Sequence, residues 1–185
     1  MFIQTEPTPN PETIKFIPGE RVMENGSADF RDREAARISP LAKRLFDDVP
    51  GVRGVYLGPD FISVTKDEGA QWQHLKPLIL GVIMEHFTNG LPVIDAGSTA
   101  ESAHNDQESD SEIVGQIVEL LDTRVRPAVA QDGGDIVFHG FDNGIVYLHM
   151  QGACAGCPSS TMTLKHGIEN LLRHYIPEVV EVRQV

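Results

Sequence analysis

The sequence predicts two small mixed domains, α+β or α/β in class, joined by an acidic flexible linker. Three observations carry this expectation. The first is charge: residues 1 to 93 hold 10 basic and 13 acidic side chains, residues 94 to 112 hold none and six, and residues 113 to 185 hold five and eight. The second is composition, because the stretch from Asp95 to Glu112 has no apolar residue larger than alanine and cannot bury enough surface to offset its ordering entropy. The third is that helical and alternating apolar patterns occur on both sides of it. The expected limits are 1 to 93 for the first domain, 94 to 111 for the linker and 112 to 185 for the second domain.

In the first domain, Phe2 to Thr5 and Thr13 to Ile17 read as strands around a proline-rich turn. Ser39-Pro40 supplies an N-cap and first-turn pair for a short helix bearing Leu41, Leu45 and Phe46. Val52 to Leu57 and Phe61 to Thr65 form a strand pair across the turn Gly58-Pro59-Asp60. Trp72, Leu75, Ile79, Val82, Ile83 and Phe87 recur at helical spacing, with Pro77 marking a late start or a kink.

The second domain reads as α-β-β-α-β, a small sheet with helices on one face. Ser109 and Glu112 form a capping box before a helix carrying Ile113, Ile117, Leu120 and Leu121, which ends at Gly133-Gly134. Asp135 to Phe141 and Ile145 to Met150 flank Asp142-Asn143-Gly144, a hairpin signal. Pro158 opens a helix with Leu164, Ile168, Leu171, Leu172 and Tyr175 on one stripe; Pro177 stops it, and Val179 to Val185 alternates as a last strand.

Bulk properties exclude several classes. A net charge of -12 works against non-specific affinity for nucleic acid or anionic lipid. The longest apolar run away from the termini, around Leu78 to Met84, is far shorter than the roughly 18 to 20 residues needed to span a bilayer. The first 30 residues lack the pattern of an export or organelle signal, and Asn25-Gly26-Ser27 reads as a plain turn. Nucleotide-binding, zincin and hydrolase-elbow motifs are missing, so the chain is not expected to be an enzyme.

The chemistry concentrates in Gly152-Ala153-Cys154-Ala155-Gly156-Cys157-Pro158, which holds both cysteines of the chain. With Pro158 at the first helical position, Cys157 falls at or near the N-cap, where the helix end favours a thiolate. The glycines let both sulfurs converge and let backbone N–H groups point at what they hold. Such thiolates suit an iron-sulfur cluster or zinc, but either centre takes four ligands and one chain offers two. The simplest source of the second pair is another copy of the chain across a twofold axis. Two alternatives stay open: a thiol-disulfide oxidoreductase cycling Cys154 and Cys157, and a zinc-bridged interaction protein. A one-chain zinc site would need His149 and His166, which read as solvated surface residues. His74, His86, His104, His139 and His174 show no ligand spacing, and Asp132 and Asp135 read as turn and capping residues.

The run Arg126-Pro127, Asp132-Gly133-Gly134-Asp135, Gly152-Ala153-Cys154, Cys157-Pro158-Ser159-Ser160, Thr163-Leu164-Lys165 and Gly167-Ile168-Glu169 closely resembles the C-terminal NifU-like domain of Nfu-type iron-sulfur carriers. MFIQTEPTPNP, Lys15-Phe16, Ser39-Pro40-Leu41-Ala42, Asp60-Phe61-Ile62 and Met84-Glu85-His86-Phe87 resemble the N-terminal domain of the same family. The resemblance implies a homodimer that holds a labile [4Fe-4S] cluster, with [2Fe-2S] as the other type four thiolates accommodate, between two Cys154/Cys157 pairs. It implies donors from cluster assembly and apo-proteins as acceptors, while charge and the short apolar runs already argue against nucleic acid and membrane as partners. Because Met1 begins directly at the domain, it points to a bacterial cytoplasm, with a mitochondrial matrix only if a presequence has been removed.

Overall fold

A computed structural model describes residues 2–96, 112–154 and 158–185. The chain divides into two compact units, Met1–Ser102 and Ala103–Val185.

The first unit is a five-stranded antiparallel sheet, β1 (Gln4–Pro7), β2 (Thr13–Ile17), β3 (Ala28–Phe30), β4 (Val52–Leu57) and β5 (Ile62–Lys66), in the order β1-β2-β5-β4-β3. Helices α1 (Pro40–Asp48) and α2 (Trp72–Thr88) pack on it. Phe16, Ile62, Val64, Val55 and Leu57 from the strands share one core with Leu41, Leu45, Leu75, Ile79 and Ile83 from the helices. The Ser39 hydroxyl accepts the Ala42 N–H at 3.0 Å, the N-cap that the Ser39-Pro40 pair predicts.

Three details differ from expectation. The first strand runs two residues later than Phe2 to Thr5, because Pro7 sits at an edge where a missing N–H is tolerated and Thr8 Oγ1 bridges Asn10 O and Thr13 O beyond it. Pro77 lies inside α2, which starts at Trp72, so of the two expected alternatives the late start does not occur. Strand β3 and a 3₁₀ turn at Ala35–Ile38 were not expected; three residues are too few for alternation to register.

The second unit orders its elements as α3 (Glu112–Leu120), a π turn (Leu121–Val125), α4 (Arg126–Gln131), β6 (Gly134–Asp142), β7 (Ile145–Gly152), α5 (Pro158–Tyr175) and β8 (Glu181–Gln184). The expected order stands, but the first helix contains a wide turn in which Arg126 N–H bonds to Leu121 O. Pro127 has no N–H for Thr123 O, and the Thr123 hydroxyl bonds back to Glu119 O at 2.7 Å; both loosen the regular ladder there. The capping residue Ser109 lies outside the described residues.

Strands β6 and β7 are antiparallel, and β8 joins β7 in parallel after the α5 crossover. Asn143 at φ 49° and Gly144 at φ 82° make the tight turn that Asp142-Asn143-Gly144 predicts. Ile136, Phe138, Val146, Leu148, Met150 and Val182 face Ile117, Leu121, Val129, Ile168 and Leu172 in one core. Helices therefore cover one face of this sheet, while His139 on the other is exposed. Tyr175 departs from the predicted stripe: it is 47% exposed and lies under the Arg124 guanidinium, 5.1 Å from ring centre.

Candidate metal centre

Cys154 lies two residues beyond the end of β7, whose last residue, Gly152, bends the chain with φ 62°. The thiol side chain is 8% exposed and packs into the core of the second unit. Opposite it, β6 begins at Gly134, paired in register with Gly152. A methyl group on Gly134 would come within 2.5 Å of Cys154 Sγ, 3.0 Å of the Cys154 amide nitrogen and 3.1 Å of Gln151 O. Gly134 is thus a glycine because the cysteine lies directly against its backbone. Ala153 N–H donates to Gly133 O at 3.1 Å, so Gly133 and Gly134 hold the two residues that lead into Cys154. Cys157, with Ala155 and Gly156, lies outside the described residues; α5 begins at Pro158, the position the sequence assigns to its first turn.

A buried ion pair underlies this platform. Asp135, 4% exposed, takes the Arg126 fork through two bonds of 2.8 Å, Nε to Oδ1 and Nη2 to Oδ2. Its Oδ1 also accepts the Ile136 N–H at 2.8 Å, and Arg126 Nη1 reaches Asp122 at 3.1 Å. The bond to Asp135 raises the Arg126 guanidinium above its ordinary range, burial opposes this, and Asp122 adds to it. The charge therefore stays, and so does the clamp between α4 and the start of β6. Asp135 is not the turn or capping residue that the sequence suggested. An acid at an inward position of an alternating strand was the available signal, and its partner nine residues earlier could not be read from spacing alone.

The remaining sequence candidates separate from this centre. His149 Nδ1 lies 3.2 Å from Val185 O, and His166 is exposed on α5. No three His, Cys, Asp or Glu side chains converge as a metal site among the described residues. Beside Asp135 in the ladder, the buried Gln151 Oε1 has no hydrogen-bond partner among the described residues, which sequence reasoning did not anticipate.

The structure thus places one thiol, Cys154, near the end of a strand and against a glycine backbone, in a small mixed domain of three strands and packed helices. The comparisons narrow this description. The model described as "Scaffold protein Nfu/NifU N terminal" matches residues 3–90, and that of the "NifU-like domain" matches residues 117–183. A Drosophila ananassae protein named "NFU1 iron-sulfur cluster scaffold homolog, mitochondrial" is 54% identical over 186 residues, covering 100% of this chain and 64% of its own. The human protein of the same name is 52% identical over 186 residues, covering 100% of this chain and 72% of its own. The chain belongs to the Nfu/NifU family. It spans just under two thirds of the length of the Drosophila relative. A solution structure of a NifU-like protein from Saccharomyces cerevisiae matches 52% of this chain and 86% of its own, with 27% identity and a TM-score of 0.47.

These names correct one expectation. The bacterial cytoplasm is overturned, because the relatives are named mitochondrial. The cytoplasmic reading rested on where the chain starts, and the start of a chain shorter than its relatives carries no information on compartment.

Proposed function

We propose that this chain is an iron-sulfur cluster scaffold and carrier whose cargo is a [4Fe-4S] cluster shared between two copies. Cys154 and Cys157 of each copy supply the four thiolates, and apo-proteins receive the cluster. The observation that carries this reading is Cys154 seated against Gly134 at the end of β7, one short loop before α5. Ligands split between two chains let the cargo leave when the pair opens, and an acceptor's thiolates can replace one pair at a time. The compartment this reading adopts is the mitochondrial one of the relatives.

Anaerobic reconstitution with iron and sulfide, followed by size-exclusion chromatography and Mössbauer spectroscopy, tests it. The expected product is a brown dimer with about two irons and two sulfides per chain, and either Cys154→Ser or Cys157→Ser abolishes it. A colourless dimer with about half a zinc per chain, or a protein that only forms the Cys154-Cys157 disulfide, would sink the carrier reading.

The units are assigned the limits 1 to 93 and 112 to 185, with 94 to 111 as a flexible acidic tether between them. The first unit then docks donor or acceptor while the second reaches across, an arrangement in which tether length sets effective concentration. Deleting residues 1 to 93 is expected to slow transfer to at least one acceptor in a panel. Unchanged rates to every acceptor would remove the docking role.

A further inference from the structure

Helix α2 ends in a paired cap: Gly90 takes φ 64°, its N–H donates to Phe87 O at 3.1 Å, and the Leu91 N–H donates to His86 O at 3.3 Å. This motif turns the chain back against the helix it has just left. Three bonds then hold the returning segment. His86 Nε2 lies 3.0 Å from Pro92 O, Ser39 Oγ donates to Val93 O at 2.6 Å, and the Asp95 N–H donates to Ile38 O at 2.8 Å. Val93 and Ile94 also pack against the core of the first unit.

His86 is fully buried, and its Nδ1 has no hydrogen-bond partner among the described residues. Pro92 O can only accept, so Nε2 carries the proton of the neutral ring and Nδ1 is left with a bare lone pair. The residue belongs to the Met84-Glu85-His86-Phe87 stretch, which the metal centre does not use.

We propose that His86 and Ser39 form a latch on the strap of residues 91 to 95, and that a proton on His86 releases it. Closed, the latch makes the tether to the second unit begin after residue 95; open, the tether begins near residue 90. Five freed residues extend its reach by up to about 17 Å. The functional use of that reach rests on the reading of two tethered units given above, but the latch itself does not.

A second proton would place an N–H donor at Nδ1, in a buried position with no acceptor among the described residues; in the released strap the ring can meet water instead. The charged groups acting at this corner are Arg44 and Asp48 on α1, Glu85 on α2 and Asp95 in the strap. Arg44 bonds to Glu85 at 2.9 Å and to Asp48 at 3.5 Å. Burial lowers the affinity of the His86 ring for a proton below its usual 6.5; the bond to Pro92 O and the Leu91 backbone oppose this, and Arg44 reinforces it. The closed state therefore binds the proton more weakly than the open one. Its advantage is complete above the usual value and is lost as pH falls from there through the lowered value of the closed ring. Over that window the opening equilibrium rises by up to about tenfold per pH unit.

Amide exchange of the full chain, followed by NMR from about pH 8 to pH 5 and corrected for intrinsic rates, reads the latch at the Asp95 N–H, with the β5 amides as a control for global unfolding. In the wild type, Asp95 protection falls below about pH 6.5 while β5 protection holds. His86→Gln keeps a donor without a titrating ring and leaves Asp95 protected at every pH; His86→Phe lowers its protection throughout, with no pH dependence. Three results overturn the proposal: Asp95 protection that ignores pH, protection that falls in step with β5, or a His86→Gln chain that keeps the wild-type pH dependence. None involves the cluster, so a failed latch leaves the carrier reading standing, and failed reconstitution leaves the latch.

Discussion

Arg126→Met is expected to destabilise the second unit by about 3 to 5 kcal/mol, the range for removing one partner of a buried ion pair. The cause lies in what remains. Asp135, a carboxylate that is 6% exposed, would lose both bonds from the guanidinium and keep that from the Ile136 N–H. Two companion variants separate this account from a simple packing loss. Arg126→Lys keeps a charge without a fork and should fall between wild type and Arg126→Met. The double variant Arg126→Met with Asp135→Leu removes both charges and should recover most of the loss, because a buried pair replaced by apolar groups is often neutral in stability. Urea unfolding followed at β6 and β7 amides measures all three. If the double variant is no more stable than Arg126→Met, the cost is not an unpaired carboxylate, and the clamp is only a packing contact.

The features legible in the sequence are those whose chemistry is local. Ser39-Pro40 caps α1, Asn143-Gly144 turns a hairpin, and Pro158 starts α5, each within a few residues of its signal. The reading of Cys154 and Cys157 as a pair rests on their spacing in a glycine-rich loop, and the structure describes only the first of them. What stayed hidden depends on distant parts of the chain. The Arg126 fork reaches Asp135 only because the π turn and α4 bring it back to the start of β6. Strand β3 owes its existence to β4, more than twenty residues later. Parallel pairing of β8 with β7 follows from the α5 crossover, not from any residue in β8. His86 looked like one more histidine without ligand spacing, and only the cap at Gly90 carries Pro92 O back to its ring.

Gly134→Ala is the second large effect, and here the cause is space. The added methyl would meet Cys154 Sγ at 2.5 Å, Cys154 N at 3.0 Å and Gln151 O at 3.1 Å. The sulfur sits on a short side chain and can swing aside, but the other two atoms are backbone, and the β6 and β7 ladder fixes them through the pairing of Gly134 with Gly152. Relief must therefore come from moving the thiol, from opening the strand ends, or from both. The stability cost is expected at about 1 to 3 kcal/mol, as for other overpacked interiors. Function should suffer more than stability, because the methyl displaces the sulfur proposed to hold the cargo. Gly144→Ala supplies the comparison: it also strains a glycine, with φ 82° and Val180 Cγ2 2.8 Å from the new methyl, but at the hairpin turn of β6 and β7, whereas Cys154 lies beside Gly152 at the opposite end of β7. Both variants should lose stability, while only Gly134→Ala should lose reconstituted iron and sulfide per folded chain. Equal retention of cluster by the two, measured at a temperature where both are folded, would mean that Gly134 serves the fold and not the seat of Cys154.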